Sequence, residues 1–234
     1  GALSFENCTH AIFIDRMDVP TLTANNMNNV ENGIRIENAR QNVAIEFNNI
    51  LANKRGIEMY QINPNTELYV AGNDIRIANQ FGGGIIFDQG GLAPAEGFTY
   101  QIHDNDIFLE NNFSTGIRLT SNNQTLLTVN DVIMEEDALY STGIALKGSH
   151  NGLLQCNTAT KQGAQSGSGI YSWDTENTEW RCNDITGLRT GMYVNMGGFS
   201  PDEFIGTDFS SNDVGLHIHK GILQSGSYMS PGAL

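Results

Sequence analysis

The sequence predicts an all-β solenoid, in which about nine coils of 22 to 32 residues stack on one another. Two motifs and one absence support this prediction. A Gly followed by an apolar residue recurs along the chain at these intervals. A second motif, apolar-x-x-Asn-x-apolar, recurs in phase with the first. No window has the 3.6-residue apolar spacing of an amphipathic helix.

The Gly-apolar motif predicts one short strand per coil. Its coils begin near residues 11, 33, 56, 84, 116, 143, 169, 191 and 215. In most coils a second apolar residue follows two positions later, which is the period of a strand with one buried face. We expect each Gly to supply the positive φ of a turn before the strand.

The second motif predicts a ladder of buried Asn side chains at a bend of each coil. A bend inside a stack leaves backbone groups that need partners, and Asn carries both a donor and an acceptor. Asn also tolerates unusual backbone angles. The predicted ladder consists of Asn25, Asn48, Asn73, Asn105, Asn130, Asn157 and Asn183.

The two motifs in phase resemble the right-handed parallel β-helix family, the pectate-lyase-like superfamily, from residue 3 to about residue 220. The resemblance implies a ladder in which each Asn amide bonds to the Asn one coil away. It also implies one β-helix domain over residues 1–234, as a segment of a longer bacterial secreted or surface protein. The location expected on this basis is extracellular or at the cell surface.

Composition narrows the classes of partner. Twelve basic residues against 26 acidic ones give a net charge of −14, which argues against a nucleic-acid binder. No apolar run approaches the roughly 18 residues of a membrane helix, so we expect no membrane span. The partners expected are a polysaccharide or another glycan, and neighbouring domains of the parent protein.

The last three coils place aromatic rings on the exposed side of the Gly-apolar strands. Stacked aromatic rings beside polar groups suit a sugar, whose ring face is apolar and whose hydroxyls need partners. The alternative is cross-strand packing under a loop or a partner domain. The predicted ligand-binding residues are Tyr171, Trp173, Tyr193, His217 and His219.

The same exposed sheet carries the catalytic residues of β-helix lyases and hydrolases, which the resemblance brings into consideration. Lyases of the family use acids that hold Ca²⁺ and a basic residue, and here Asp88, Arg118 and Lys147 lie on successive coils. Inverting hydrolases use two separated carboxylates, and Glu37 and Glu58 would lie roughly 8 Å apart. Neither set matches a catalytic motif of the family.

Two further features concern metals and thiols. Asp74, Asp106 and Asp131 each follow a ladder Asn on consecutive coils, so the sequence requires no cofactor but allows Ca²⁺ there. The alternative is turn chemistry, which Asp favours. Cys156 and Cys182 occupy equivalent positions on adjacent coils. They form either a disulfide or a pair of small buried thiols.

Three functions remain open from the sequence. The first is a noncatalytic extracellular module with a structural, adhesive or glycan-binding role. The second is a polysaccharide lyase, epimerase or hydrolase acting on the exposed sheet. The third is a segment of a phage-type tailspike.

Overall fold

The protein is a right-handed parallel β-solenoid of about eight turns, close to the nine coils predicted. The computed structural model describes residues 2–16, 21–63, 66–91, 100–195, 202–220 and 223–225, and these ranges contain no helix. The strands are β1 (Ser4–Glu6), β2 (His10–Asp15), β3 (Thr21–Thr23), β4 (Asn26–Glu37), β5 (Val43–Glu46), β6 (Asn49–Tyr60), β7 (Leu68–Ala71), β8 (Asp74–Ile77), β9 (Gly83–Gly91), β10 (Tyr100–His103), β11 (Asp106–Leu109), β12 (Thr115–Asn122), β13 (Thr125–Thr128), β14 (Asp131–Met134), β15 (Thr142–Lys147), β16 (Leu153–Gln155), β17 (Thr158–Lys161), β18 (Ser168–Trp173), β19 (Glu179–Arg181), β20 (Asp184–Thr186), β21 (Thr190–Asn195), β22 (Asp202–Ile205), β23 (Val214–Lys220) and β24 (Leu223–Ser225).

A typical coil contains three strands, where the motifs predicted two. The apolar-x-x-Asn-x-apolar motif spans two of them, because the Asn bends the chain between β7 and β8 or between β10 and β11. The third strand is the Gly-apolar one, such as β9 or β12, and we call this set the Gly strands. In β4 and β6 the second and third strands run together as one strand of 12 residues.

The Gly strands stack in parallel and in register, which fixes the columns of the exposed face. Ile117 pairs with Ile85 on one side and with Ile144 on the other. From β4 to β21 the inward side chains of the Gly strands are buried, whereas those of β2 and β23 are partly exposed. Trp180, on another strand, is buried in the same core, as the sequence indicates. The outward side chains of these strands therefore form straight columns along the axis of the solenoid, which we call the rod. Successive residues of one column are about 4.8 Å apart.

The Asn ladder is confirmed. Each ladder Asn donates from Nδ2 to Oδ1 of the Asn on the next coil, over six consecutive steps from Asn25 to Asn183, with distances from 2.8 to 3.0 Å. The same Nδ2 groups also bond backbone carbonyls, such as Val70 O and His103 O in the case of Asn105. The ladder thus satisfies the backbone at the bend, as the sequence argument requires.

The Gly residues open the strands as predicted, but the reason predicted for them, a positive φ, is wrong. The Gly residues that open the Gly strands do not have a positive φ. They are needed because successive coils approach closely, and a Cβ on Gly116 would lie 2.6 Å from Gly143 O. The left-handed backbone falls instead on the residue before each ladder Asn, including Phe47, Val129 and Cys156.

Candidate functional site

The exposed face of the Gly strands carries the candidate site. Two neighbouring areas make it up, and each is built from outward positions of stacked strands. The first, which we call the aromatic strip, consists of Tyr171, Trp173, Tyr193, His217 and His219. The second, which we call the polar groove, is lined by Arg35, Glu37, Asn38, Tyr60, Gln61, Asp88, Arg118, Thr120, Ser121 and Lys147.

The aromatic strip brings together all five residues predicted for it. Tyr171 and Tyr193 stack with ring centroids 5.3 Å apart and planes within 4°. Trp173 lies 6.4 Å from Tyr171, and its residue is 45% exposed. His217 meets Tyr193 edge-on at 4.9 Å, while His219 stacks on Tyr193 at 6.4 Å. The register aligns Tyr171, Tyr193 and His217 in one column along the rod, while Trp173 pairs with Asn195.

The polar groove has a cavity volume of about 610 Å³. It gathers four of the five predicted catalytic candidates, Glu37, Asp88, Arg118 and Lys147, and the fifth lies beside it. Sequence reasoning did not select Arg35 or Tyr60 for the site. Both residues occupy outward positions of the Gly strands, and this was the sequence signal that could have identified them.

One buried carboxylate organises the first end of the groove. Glu58 is only 4% exposed, although its position in the strand predicts an outward side chain. Arg35 Nη1 donates to Glu58 Oε2 at 3.0 Å, and Tyr60 Oη donates to Glu58 Oε1 at 2.6 Å. Burial, and then the hydrogen bond to Glu58, raise the pKa of Tyr60 to about 12, so its phenol stays protonated.

The Glu37–Glu58 pair does not enclose an open space for a water. Arg35 Nε donates to Glu37 Oε1 at 2.8 Å, and the same guanidinium binds Glu58. The register is as predicted, since Arg35 pairs with Glu58 and Glu37 with Tyr60. A guanidinium therefore bridges the two carboxylates that a water-activating mechanism would need to keep apart.

Asp88, Arg118 and Lys147 converge at the other end of the groove. Arg118 Nη2 donates to Asp88 Oδ2 at 3.0 Å. Asp88 Oδ1 and Arg118 Nε are buried and have no hydrogen-bond partner among the described residues. Lys147 is exposed, and within the described ranges no acid pairs with it. This end of the groove thus offers the exposed Lys147 to a ligand, while Asp88 and Arg118 bind each other.

The groove and the strip are continuous. Lys147 at the edge of the groove pairs in register with Trp173, an exposed ring of the strip. Together they span eight coils, which at the strand spacing is roughly 34 Å along the rod.

The predicted Asp column forms a line along the rod rather than a cage around an ion. Asp106 pairs in register with Asp74 and with Asp131, one coil away on either side. Thr158 Oγ1 donates to Asp131 Oδ1 at 2.6 Å, so the last of the three carboxylates is bonded to a hydroxyl of the next coil. Burial, and then repulsion by Asp131 and Asp74, raise the pKa of Asp106 above its usual range.

We expect Asp106→Asn to raise the melting temperature at pH 7, because it removes an ionised group from the repulsive column. A folded-state pKa above the unfolded value destabilises the fold above that pKa, and the effect vanishes as the pH falls through it. The variant and wild type should therefore melt together near pH 3, below the usual Asp pKa of about 3.9. Calorimetric scans at the two pH values check this, and an equal difference at both would contradict it.

The two Cys residues lie on adjacent coils as predicted, but neither predicted state is found. Both are free, and both are exposed rather than buried. They directly precede Asn157 and Asn183, so they share the left-handed column before the ladder. The exposure follows from that backbone, which turns the side chain outward while the next residue points inward.

The structure adds a second aromatic column that the sequence did not predict. Phe81, Phe113 and Tyr140 stack at 5.2 and 5.4 Å on another corner of the coil. Each is strongly exposed and has a positive φ. The segments that carry them differ in length from coil to coil, so no fixed spacing reveals the alignment.

The fold defines a right-handed β-helix protein, and this surface is its elongated exposed face. Residues 83–224 match the family model described as "Periplasmic copper-binding protein (NosD)", and the chain belongs to that family. It is therefore a β-helix module of the periplasmic or extracellular space, which agrees coarsely with the expected location. No significant match was found among curated proteins or among solved structures.

The family description raises the question of a metal centre. Within the described ranges, no three His, Cys, Asp or Glu side chains lie close enough to hold one ion. His217 and His219 accordingly have no third ligand there, nor does the Asp column form a Ca²⁺ cage. The same ranges contain no helix long and apolar enough to cross a membrane.

Proposed function

We propose that this protein is a noncatalytic β-helix module that binds a glycan along the exposed face of its Gly strands. The observation that carries the proposal is the aromatic strip, whose stacked rings lie in register on three successive coils. Saccharide rings have apolar faces that pack on aromatic side chains. Convergent polar groups beside an apolar surface then fix the orientation of the ligand.

The polar groove supports this proposal because it continues the strip with hydrogen-bonding groups. Lys147, Thr120 and Ser121 supply donors at the end nearest Trp173. A ligand that carries several hydroxyl groups and at least one anionic group would satisfy all of them.

Binding fits the groove better than catalysis does. Arg35 donates hydrogen bonds to Glu37 and Glu58, and Arg118 donates one to Asp88. A general acid or base needs a carboxyl group that can reach the substrate and exchange its proton. These carboxylates are instead hydrogen-bonded to neighbouring guanidinium groups.

We expect Trp173→Ala to weaken glycan binding at least about tenfold, or about 1.4 kcal/mol. The reason is the loss of a large exposed ring of the strip, and Trp contacts that become buried commonly dominate binding surfaces. Isothermal titration calorimetry against neutral and uronic-acid hexasaccharides measures the effect. Tyr140→Ala is the matched control, since Tyr140 is an exposed stacked ring on the other aromatic column.

Two results would refute the glycan proposal. Wild-type protein that binds none of the hexasaccharides would remove its basis. Equal losses in Trp173→Ala and Tyr140→Ala would show that the binding does not use the aromatic strip.

A second candidate function is copper binding, which the description of the family names and which one feature of this chain favours. Cys156 and Cys182 are free, exposed thiols on adjacent coils, and both lie within the matched residues. Thiolates are soft ligands that select Cu(I). Reduced wild-type protein, loaded anaerobically and desalted, should retain copper by atomic absorption, and protein that emerges free of copper would refute this function.

A further inference from the structure

The two exposed thiols are held by the most regular part of the fold. Gln155 and Arg181, the residues before them, pair in register, and Cys156 N donates to Arg181 O at 2.9 Å. Both Cys residues have nearly the same backbone, with φ of 54° and 51°. Their Cα–Cβ bonds are therefore parallel, and the Cβ atoms are separated by about the strand spacing, ~4.8 Å.

This spacing favours a bridging ion over a direct disulfide. A disulfide brings its Cβ atoms to about 3.8 Å, closer than stacked strands allow without distortion. A thiolate lies about 2.3 Å from a bound transition metal, so two thiolates on opposite sides of one ion are roughly 4.6 Å apart. That separation is nearly the spacing of adjacent coils.

Among the described residues, no third Cys, His, Asp or Glu joins the two thiols. The next position of the column is Gly206, where an added Cβ would lie 3.8 Å from Cys182 Sγ. The preceding position is the apolar Val129. Zn²⁺ sites almost always have four ligands, and Cu²⁺ prefers nitrogen and oxygen ligands in a square arrangement. Neither set of ligands exists around this pair within the described ranges.

We infer that Cys156 and Cys182 form a two-coordinate site selective for a monovalent soft ion, so that copper would bind this protein as Cu(I). The inference rests on the proposed copper binding and assigns it to a site and an oxidation state. In the binding step each thiol loses its proton, two sulfur–copper bonds form, and the metal stays monovalent. No oxidant or reductant takes part.

Binding at this site should weaken as the pH falls. Each thiol loses its proton when the ion binds, and the release of two protons per ion makes the affinity fall as the pH falls.

The test uses the reduced full chain under anaerobic conditions, with Cu(I) supplied from a bicinchoninate complex and Ag(I) as a redox-inert probe. We expect one ion per chain in wild type, and loss of the ion in Cys156→Ser and in Cys182→Ser. Cys8→Ser is the matched control, since Cys8 packs against the core far from the column. Zn²⁺ at equal concentration should not displace either probe.

The outcomes separate the site from the function. If wild type binds Cu(I) and the two column variants bind it equally well, copper binding stands and this site is wrong. If wild type binds Ag(I) through these residues but no Cu(I), the site stands and the copper function falls. Displacement by Zn²⁺ would overturn the selectivity, and binding of neither probe would overturn both.

Discussion

Replacing Asn48 with Ala is expected to lower the free energy of unfolding by about 4 kcal/mol, because several buried polar groups lose their partners at once. Asn48 Nδ2 donates to Asn73 Oδ1 at 2.9 Å and to Leu22 O and Glu46 O, both at 3.1 Å. Its Oδ1 accepts from Asn25 N at 3.0 Å and from Asn25 Nδ2 at 2.8 Å. Each group left unpaired in the interior costs about 1–3 kcal/mol.

The adjacent residue provides the control for this prediction. Asn49 has the same side chain one position later, but it is exposed at the start of β6. Asn49→Ala should change the free energy of unfolding by no more than about 0.5 kcal/mol. Urea unfolding followed by circular dichroism compares the two variants, and similar midpoints would show that the ladder contributes little.

Replacing Gly116 with Ala is expected to cost about 3 kcal/mol, which is at the upper end of the usual range for overpacking. The new Cβ would lie 2.6 Å from Gly143 O and 2.4 Å from Val132 Cγ1. Neither neighbour can yield without shifting a strand, since one is backbone and the other is a buried branched side chain.

The last Gly of the same column tests whether contact is the cause. At Gly215 an added Cβ would approach nothing closer than Phe209 Cβ, at 3.4 Å. Gly215→Ala should therefore be nearly neutral in thermal unfolding. If both substitutions were equally costly, close approach of the next coil would not explain the glycines.

The fold could be predicted from the sequence because each coil repeats the same local requirement. Each coil has a bend that needs an inward amide, so residues such as Asn48 and Asn105 lie in the same sequence motif and can be recognised by it. The role of Gly116 could not be predicted in the same way. Its constraint comes from a carbonyl of the next coil, and that distance exists only after the coils have stacked.

The site could be predicted only in part, for a related reason. Strand alternation places Tyr171, Trp173 and Tyr193 on one face, and the register aligns them. It does not determine which charged side chains pair. Arg35 reaches across to Glu58 and draws that carboxylate into a buried position, which depends on side-chain conformations and not on spacing.

The Asn ladder gives the rod a chemical direction. Every amide group in it donates toward higher residue numbers, so the two ends of the ladder are unlike. The first end presents the oxygen of Asn25, which accepts from Leu3 N, and the other ends at the amide nitrogen of Asn183. An end-to-end assembly of copies that continued the ladder would therefore have to be head-to-tail. A two-fold contact between identical ends would instead place two donors or two acceptors against each other.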